Sequence, residues 1–264
     1  MPILATSLSV GTHQTVSIGG VSFNLDTIIA TLVAGFILLV VGFYLRHVVT
    51  AGVPGRLQTA MELVWSTLDD YVKQMVGPFA RWMIPLLFTL FFFIMVGNWL
   101  ELIPTGDRLV SPTADTNLTF GLAFTVIILV HVTSVRRLGW RGYLRTNYLH
   151  PPGLPRFMYL LLTPINVIAQ ISYPISLSLR LFGNMFAAAL MLQIIALLPI
   201  YMGWVLNGVW KLFEGLFVDI VQAFIFVLLT IIYMSMATTT EHGEEAGESE
   251  ATQPSASVAV PAAG

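Results

Sequence analysis

The chain has 264 residues, 56% of them hydrophobic and only 10% charged, with a mean hydropathy of +0.81. Soluble globular domains carry about 25% charged residues, so this composition excludes an ordinary soluble domain and indicates a multi-pass membrane protein. The net charge of −2 selects no partner, and the lack of cysteine excludes disulfides, thiolate metal sites and cysteine redox chemistry.

No Lys or Arg precedes Arg46, so residues 1–25 lack the basic segment of a secretory signal. The first apolar span is read at 26–45. Residues 56–77 follow as an amphipathic helix, with Leu57, Met61, Val64, Trp65, Leu68 and Val72 at helical spacing and Glu62, Asp69, Asp70 and Lys73 among the polar positions. That stretch is too polar to cross and is placed along the membrane surface. Further spans are read at 83–103 and 117–135, the latter preceded by Asp115 and Asn117 as helix-start residues. The stretches 157–198 and 200–237 are each about twice the roughly 20 residues that one crossing takes, which predicts tilted or bent helices. Pro164 and Pro174 offer bends in the first, and Pro199 separates the two. From Thr238 onward, Glu241, Glu244, Glu245, Glu248 and Glu250 open a Ser/Ala/Pro-rich end, so residues 238–264 read as a disordered acidic tail.

The fold expected is therefore all-α, a single membrane domain over 1–237 with about five crossings, the last two long and tilted, plus one interfacial helix. The basic residues test the crossing number. Arg46, Arg56, Lys73 and Arg81 lie between the first two spans, and Arg136, Arg137, Arg141, Arg145 and Arg156 between the third and fourth. Those loops hold nine of the twelve Lys and Arg, which puts the N-terminus outside and the C-terminus in the cytoplasm. Five crossings agree with that.

No phosphate loop, HExxH or GxSxG occurs. Of five histidines only His131 falls in a span, too few for bis-histidine haem ligation. No cofactor, metal or nucleic acid is expected. What remains is intramembrane polarity. Arg180 is the one Lys, Arg, Asp or Glu between Arg156 and Lys211. Guanidinium stays charged at any accessible pH, and placing it at mid-membrane costs at least about 2.5–3.5 kcal/mol, so it faces protein or water. At 3.6 residues per turn it shares a face with Tyr173, Ser176, Asn184 and Ala187, and Gln170 continues that side. In the last span Asp219, Gln222 and Gly215 share a face, with Glu214 turned about 100° away. Asp219 and Glu214 are candidate proton carriers, Glu214 also being placed to sit in solvent beside Lys211. Glu101, next to the interface marker Trp99, is a candidate for an aqueous entrance.

The runs Pro174-Ile175-Ser176-Leu177-Ser178-Leu179-Arg180-Leu181-Phe182-Gly183-Asn184 and Gln222-Ala223-Phe224-Ile225-Phe226 resemble subunit a of the F-type ATP synthases, as do Asn98-Trp99-Leu100-Glu101 and Ala114-Asp115-Thr116-Asn117. The resemblance is ordered and runs from about residue 24 to 237. It implies a stator subunit in a bacterial inner membrane, with a ring of c subunits and b-type stalk subunits as partners besides the lipid bilayer. Protons would pass through two aqueous half-channels to and from ring carboxylates. It implies that Arg180 is the essential arginine facing the ring, with Asn184 and Gln222 near it and Glu101 in the outer half-channel. Two positions depart from the family. Ala189 and Gly215 stand where acidic or histidine side chains are common, so Asp219, with Glu214 second to it, is expected to serve the outer path. The competing readings are a secondary transporter with an arginine anion site and a purely structural membrane anchor.

Overall fold

The computed structural model describes residues 15–18, 21–50, 52, 54–103, 111–148 and 156–238. The acidic tail, apart from Thr238, lies outside the described residues. Ahead of the first span stands an element the hydropathy reading did not anticipate. Strands β1 (Thr15–Ile18) and β2 (Val21–Asn24) pair antiparallel, Thr15 opposite Asn24 and Ile18 opposite Val21. The Gly19-Gly20 pair between them is a hairpin signal in the sequence.

Five helical segments are long and apolar enough to cross a membrane, and apart from the β1–β2 hairpin the described residues form an all-α multi-pass membrane protein. Helix α1 (Leu25–Val48) buries only Ala30 and Ala34, against Leu100 and the helix before it, and leaves Leu32, Phe36, Leu39 and Phe43 exposed. Helix α2 (Arg56–Met75) is the amphipathic segment. It sinks Leu68 and Val72 into the main core, while Leu57 and Leu63 stay outside. Asp69, one of the polar positions of this helix, is buried. Its carboxylate meets Lys73 Nζ at 2.5 Å and accepts from Arg81 Nε and Nη2 at 3.0 and 3.2 Å, on the short 3₁₀ segment Pro78–Met83. That segment runs into α3 (Ile84–Trp99).

Helix α4 (Thr116–Tyr148) starts as its sequence predicts. Asp115 Oδ1 accepts from the Asn117 backbone N–H at 2.8 Å, satisfying a free first-turn donor. The other carboxylate oxygen accepts from Asn24 Nδ2 at 2.6 Å and Thr27 Oγ1 at 2.8 Å, fixing α1 to the start of α4. Beyond the expected span α4 breaks at Gly139, whose φ of 71° suits glycine. A second arm, 140–148, then folds back so that Asn147 Nδ2 reaches Ser134 Oγ at 3.4 Å.

Helix α5 (Arg156–Ala196) runs unbroken for 41 residues through Pro164 and Pro174. At 1.5 Å per residue it is about 60 Å long, twice the hydrocarbon thickness. Pro199 ends the connection, as expected, and caps α6 (Ile200–Phe213). A π turn, Glu214–Val218, joins α6 to α7 (Asp219–Thr238). The core forms where α3, α4, α5 and α7 meet, around Ile94, Val126, Leu177, Leu181, Ala223, Phe226 and Val227. In lipid such helices gain little from leaving apolar surroundings, so close packing and hydrogen bonds hold them. Several of those bonds tie the end of the bundle where the basic residues gather. Arg137 Nη1 donates to Thr238 O at 2.9 Å, Ser134 Oγ to Ala237 O, and Ser235 Oγ to Met75 O.

Candidate functional site

Helix α5 buries Leu177, Ser178, Leu181, Met185 and Ala188, and Ser178 Oγ donates to Thr119 Oγ1 at 3.1 Å. Its outer face carries the exposed Ile175, Ser176, Leu179, Arg180, Phe186 and Ala187. Arg180 is thus a fixed cation on an apolar face, and among the described residues no carboxylate pairs with it. It lies within electrostatic reach of Tyr233. Space is open around Gly183, where an added Cβ would meet nothing within 4 Å. Asn184 and Gln222 each hold a buried amide nitrogen without a hydrogen-bond partner. Polar groups left bare in this way cost about 1–3 kcal/mol each unless water or another chain supplies an acceptor.

Two separate cavities bracket the Arg180 level. At the end away from the basic residues, Asn98, Glu101, Leu102, Met185, Lys211, Glu214 and Asp219 enclose about 10 Å³, room for about one water. Asn98, which the sequence reading quoted without a role, organises this cluster. Its Nδ2 donates to Asp219 Oδ1 at 3.2 Å, and its Oδ1 accepts from Ser111 Oγ at 3.2 Å and from Thr113 Oγ1. Glu101 lines the same space, with Lys211 Nζ 3.4 Å from its main-chain oxygen.

The π turn corrects the face assignment of Glu214. Uniform 3.6-residue winding turns it about 100° from Gly215 and about 140° from Asp219. In the structure the Asp219 N–H donates to the Glu214 carbonyl five residues back, and this extra residue swings Glu214 round to line the cavity with Asp219. Glu214 is buried, not solvated, and its Oε1 has no partner. Gly215 is filled in by its neighbours. A Cβ there would stand 2.4 Å from Leu102 Cδ1, and Trp99 Nε1 donates to the Gly215 carbonyl at 2.7 Å. A large side chain at Gly215 would displace Leu102.

At the basic end a larger cavity of about 200 Å³ is lined from α4 by His131 and Asn147, from α5 by Asn166, Gln170 and Tyr173, and from α7 by Tyr233. Gln170 belongs here, its Nε2 donating to Asn147 Oδ1 at 3.3 Å. Tyr173 and Tyr233 stack with centroids 4.5 Å apart, between this cavity and the level of Arg180. Of these lining groups only Gln170 was singled out in advance as a path residue. His131 and Asn147 were legible as polar residues on a largely apolar helix, but nothing in periodicity joins them across helices.

Comparison with known proteins bears on this arrangement. The family model described as ATP synthase A chain matches residues 27–235. ATP synthase subunit a of Acidothermus cellulolyticus is 39% identical over 241 residues, covering 90% of this chain and 86% of that one. The subunit a of Mycobacterium bovis is 40% identical over 250 residues (90% and 97% covered), and that of Psychrobacter arcticus 33% over 251 (86% and 87%). With the lone arginine, the paired cavities and a match across nearly the whole spanning region, the chain belongs to the ATP synthase subunit a family.

Proposed function

We propose that this chain is the proton-conducting stator subunit of a bacterial F-type ATP synthase. The two cavities are its half-channels, the Asp219 cluster opening outside and the His131/Gln170 cavity opening to the cytoplasm. Its basic end, by the charge rule, faces the cytoplasm. The c-subunit ring runs over the apolar face of α5 that carries Arg180, and b-type stalk subunits join the same assembly. Arg180 favours the ionised form of each passing ring carboxylate, because opposite charge in a poorly hydrated site stabilises it. Protonation from the other half-channel then removes the cost of returning that carboxylate to lipid. Moving one charge across 100 mV yields about 2.3 kcal/mol, so several steps per ATP are needed, which suits a rotating carrier.

The observation that carries this reading is a permanent cation with no counter-ion among the described residues, on an exposed apolar face between two separate polar cavities. Asp219, with its dedicated donor Asn98, takes the outer role that Ala189 and Gly215 leave vacant, with Glu214 beside it. A solute transporter is disfavoured, since the outer cavity admits about one water. The test is Arg180→Ala in the assembled complex, reconstituted in vesicles. Coupled ATP synthesis is lost while the subunits still copurify and protons still leak passively. Retained synthesis in that variant overturns the reading.

A further inference from the structure

We propose that His131 is a proton-relaying residue of the basic-end cavity, the group that hands protons between its water and the cytoplasm. This rests on the reading of that cavity as the cytoplasmic half-channel. His131 is a half-buried imidazole within a membrane span, and it lines the 200 Å³ cavity alongside Asn147, Asn166, Gln170, Tyr173 and Tyr233. Ionisable side chains inside a membrane are costly and are kept where they serve a path. Imidazole is the side chain whose charge changes between about pH 5 and 8, so it can both bind and release a proton in the working range.

The surroundings suit exchange rather than a fixed charge. The titratable groups facing His131 are Tyr143 from the second arm of α4, Tyr173 from α5 and Tyr233 from α7. Among the described residues the cavity lining holds no Asp, Glu, Lys or Arg to lock the ring in one state. Tyr143 Oη lies 3.3 Å from His131 Nδ1, and Tyr143 stands on the arm that Gly139 turns back against the bundle. The ring thus has one nitrogen beside a hydroxyl of the folded-back arm while it lines the cavity. A proton taken up by the neutral ring gives imidazolium, and a proton released on the other side restores it. Uptake breaks an O–H bond of hydronium and makes an N–H bond, release does the reverse to water, and bonds and charge balance over the cycle. The cavity's other polar side chains are amides and tyrosines, which hold water in place but do not take up a proton near neutral pH.

The test compares His131→Gln and His131→Phe with the unaltered complex in vesicles, following ATP synthesis and ATP-driven proton pumping while the pH on the nucleotide side is varied. Gln keeps a polar group for Tyr143 but cannot carry a proton, and Phe keeps the ring volume. Both variants are expected to assemble and to lose at least about tenfold in rate, at the low side of what a placed acid–base group contributes. The inflection of rate between about pH 5 and 8 disappears with it. Full activity in His131→Gln with the inflection intact overturns the proposal, as does rescue by Gln alone, which would make the ring only a hydrogen-bond partner. Arg180→Ala, run in parallel, separates the two levels. If that variant stays coupled, the half-channel reading itself fails whatever His131 does.

Discussion

Asp219 differs from Glu214, the other acid of its cavity, in having a prepared partner. Asn98 can turn its amide nitrogen to only one acceptor here, because its oxygen is occupied by Ser111 and Thr113, and this orients the donor at Asp219. Glu214 lines the same one-water space without such a partner. The difference ranks them. Asp219→Asn keeps size and hydrogen bonding but cannot cycle a proton, and ATP-driven acidification of vesicles is expected to fall by about tenfold or more. Glu214→Gln is expected to lower it by less, since water can still bridge from Glu101 to Asp219. Normal acidification in both variants would remove this cluster from the path. Asp69 shows the same lesson in a structural setting: a buried carboxylate is tolerated because two cations grip it.

At the scale of elements, the π turn decides which acids meet. It adds one residue to the winding between α6, which buries none of its residues, and α7, whose inner face carries Asp219, Gln222 and Phe226. The exposed Leu216 and Phe217 form the outside of that turn. Deleting Phe217 should therefore convert it to α-helix, with Glu214 then four residues before the aspartate and still on its face. Pumping is expected to persist in that variant. Inserting an alanine after Phe217 adds about 100° of rotation and should reduce pumping about tenfold, as measured by the same acidification assay. This turn also marks the limit of what the sequence could reveal. Helix positions followed from hydropathy, and Arg180 stood out because a lone charge in an apolar run needs no geometry to notice. The α4 start was legible from the Asp115 cap. Glu214 was misplaced because face arithmetic assumes constant winding, and a π turn has no composition of its own. The 140–148 arm was missed because its basic residues read as a loop, although Gly139 offered the break. The partners of Gln170 and Asn98 lie on other helices, where no single-segment pattern reaches.

Across the whole molecule, two kinds of cohesion hold different parts. The spans are fixed mainly by apolar packing around Leu177, Phe226 and Val227 and by buried hydroxyl and amide bonds, with Asp115 and Arg137 adding charged hydrogen bonds between helices. Helix α2 at the basic end is held differently, by Leu68 and Val72 on its inner side and by Asp69 clamped between Lys73 and Arg81. Hydrogen bonding to Lys73, then to Arg81, holds the Asp69 carboxyl below its ordinary value, against the opposing effect of its burial. A carboxylate whose pKa is lower folded than unfolded stabilises above the unfolded value, about 3.9 for Asp, and loses that contribution as pH falls through the folded value. Docking of α2 should therefore be level from neutral pH down to about pH 5 and weaken in stronger acid, while the spans stay packed. Hydrogen exchange of the complex in detergent, taken across that range, is the measurement. Amides of 56–75 should lose protection as the medium becomes acid, those of α3 and α7 should not, and Asp69→Asn should show weaker α2 protection at neutral pH with the acid step removed. An unchanged acid step in Asp69→Asn would assign the docking to Leu68 and Val72 alone, leaving the clamp no part in seating the helix against the bundle.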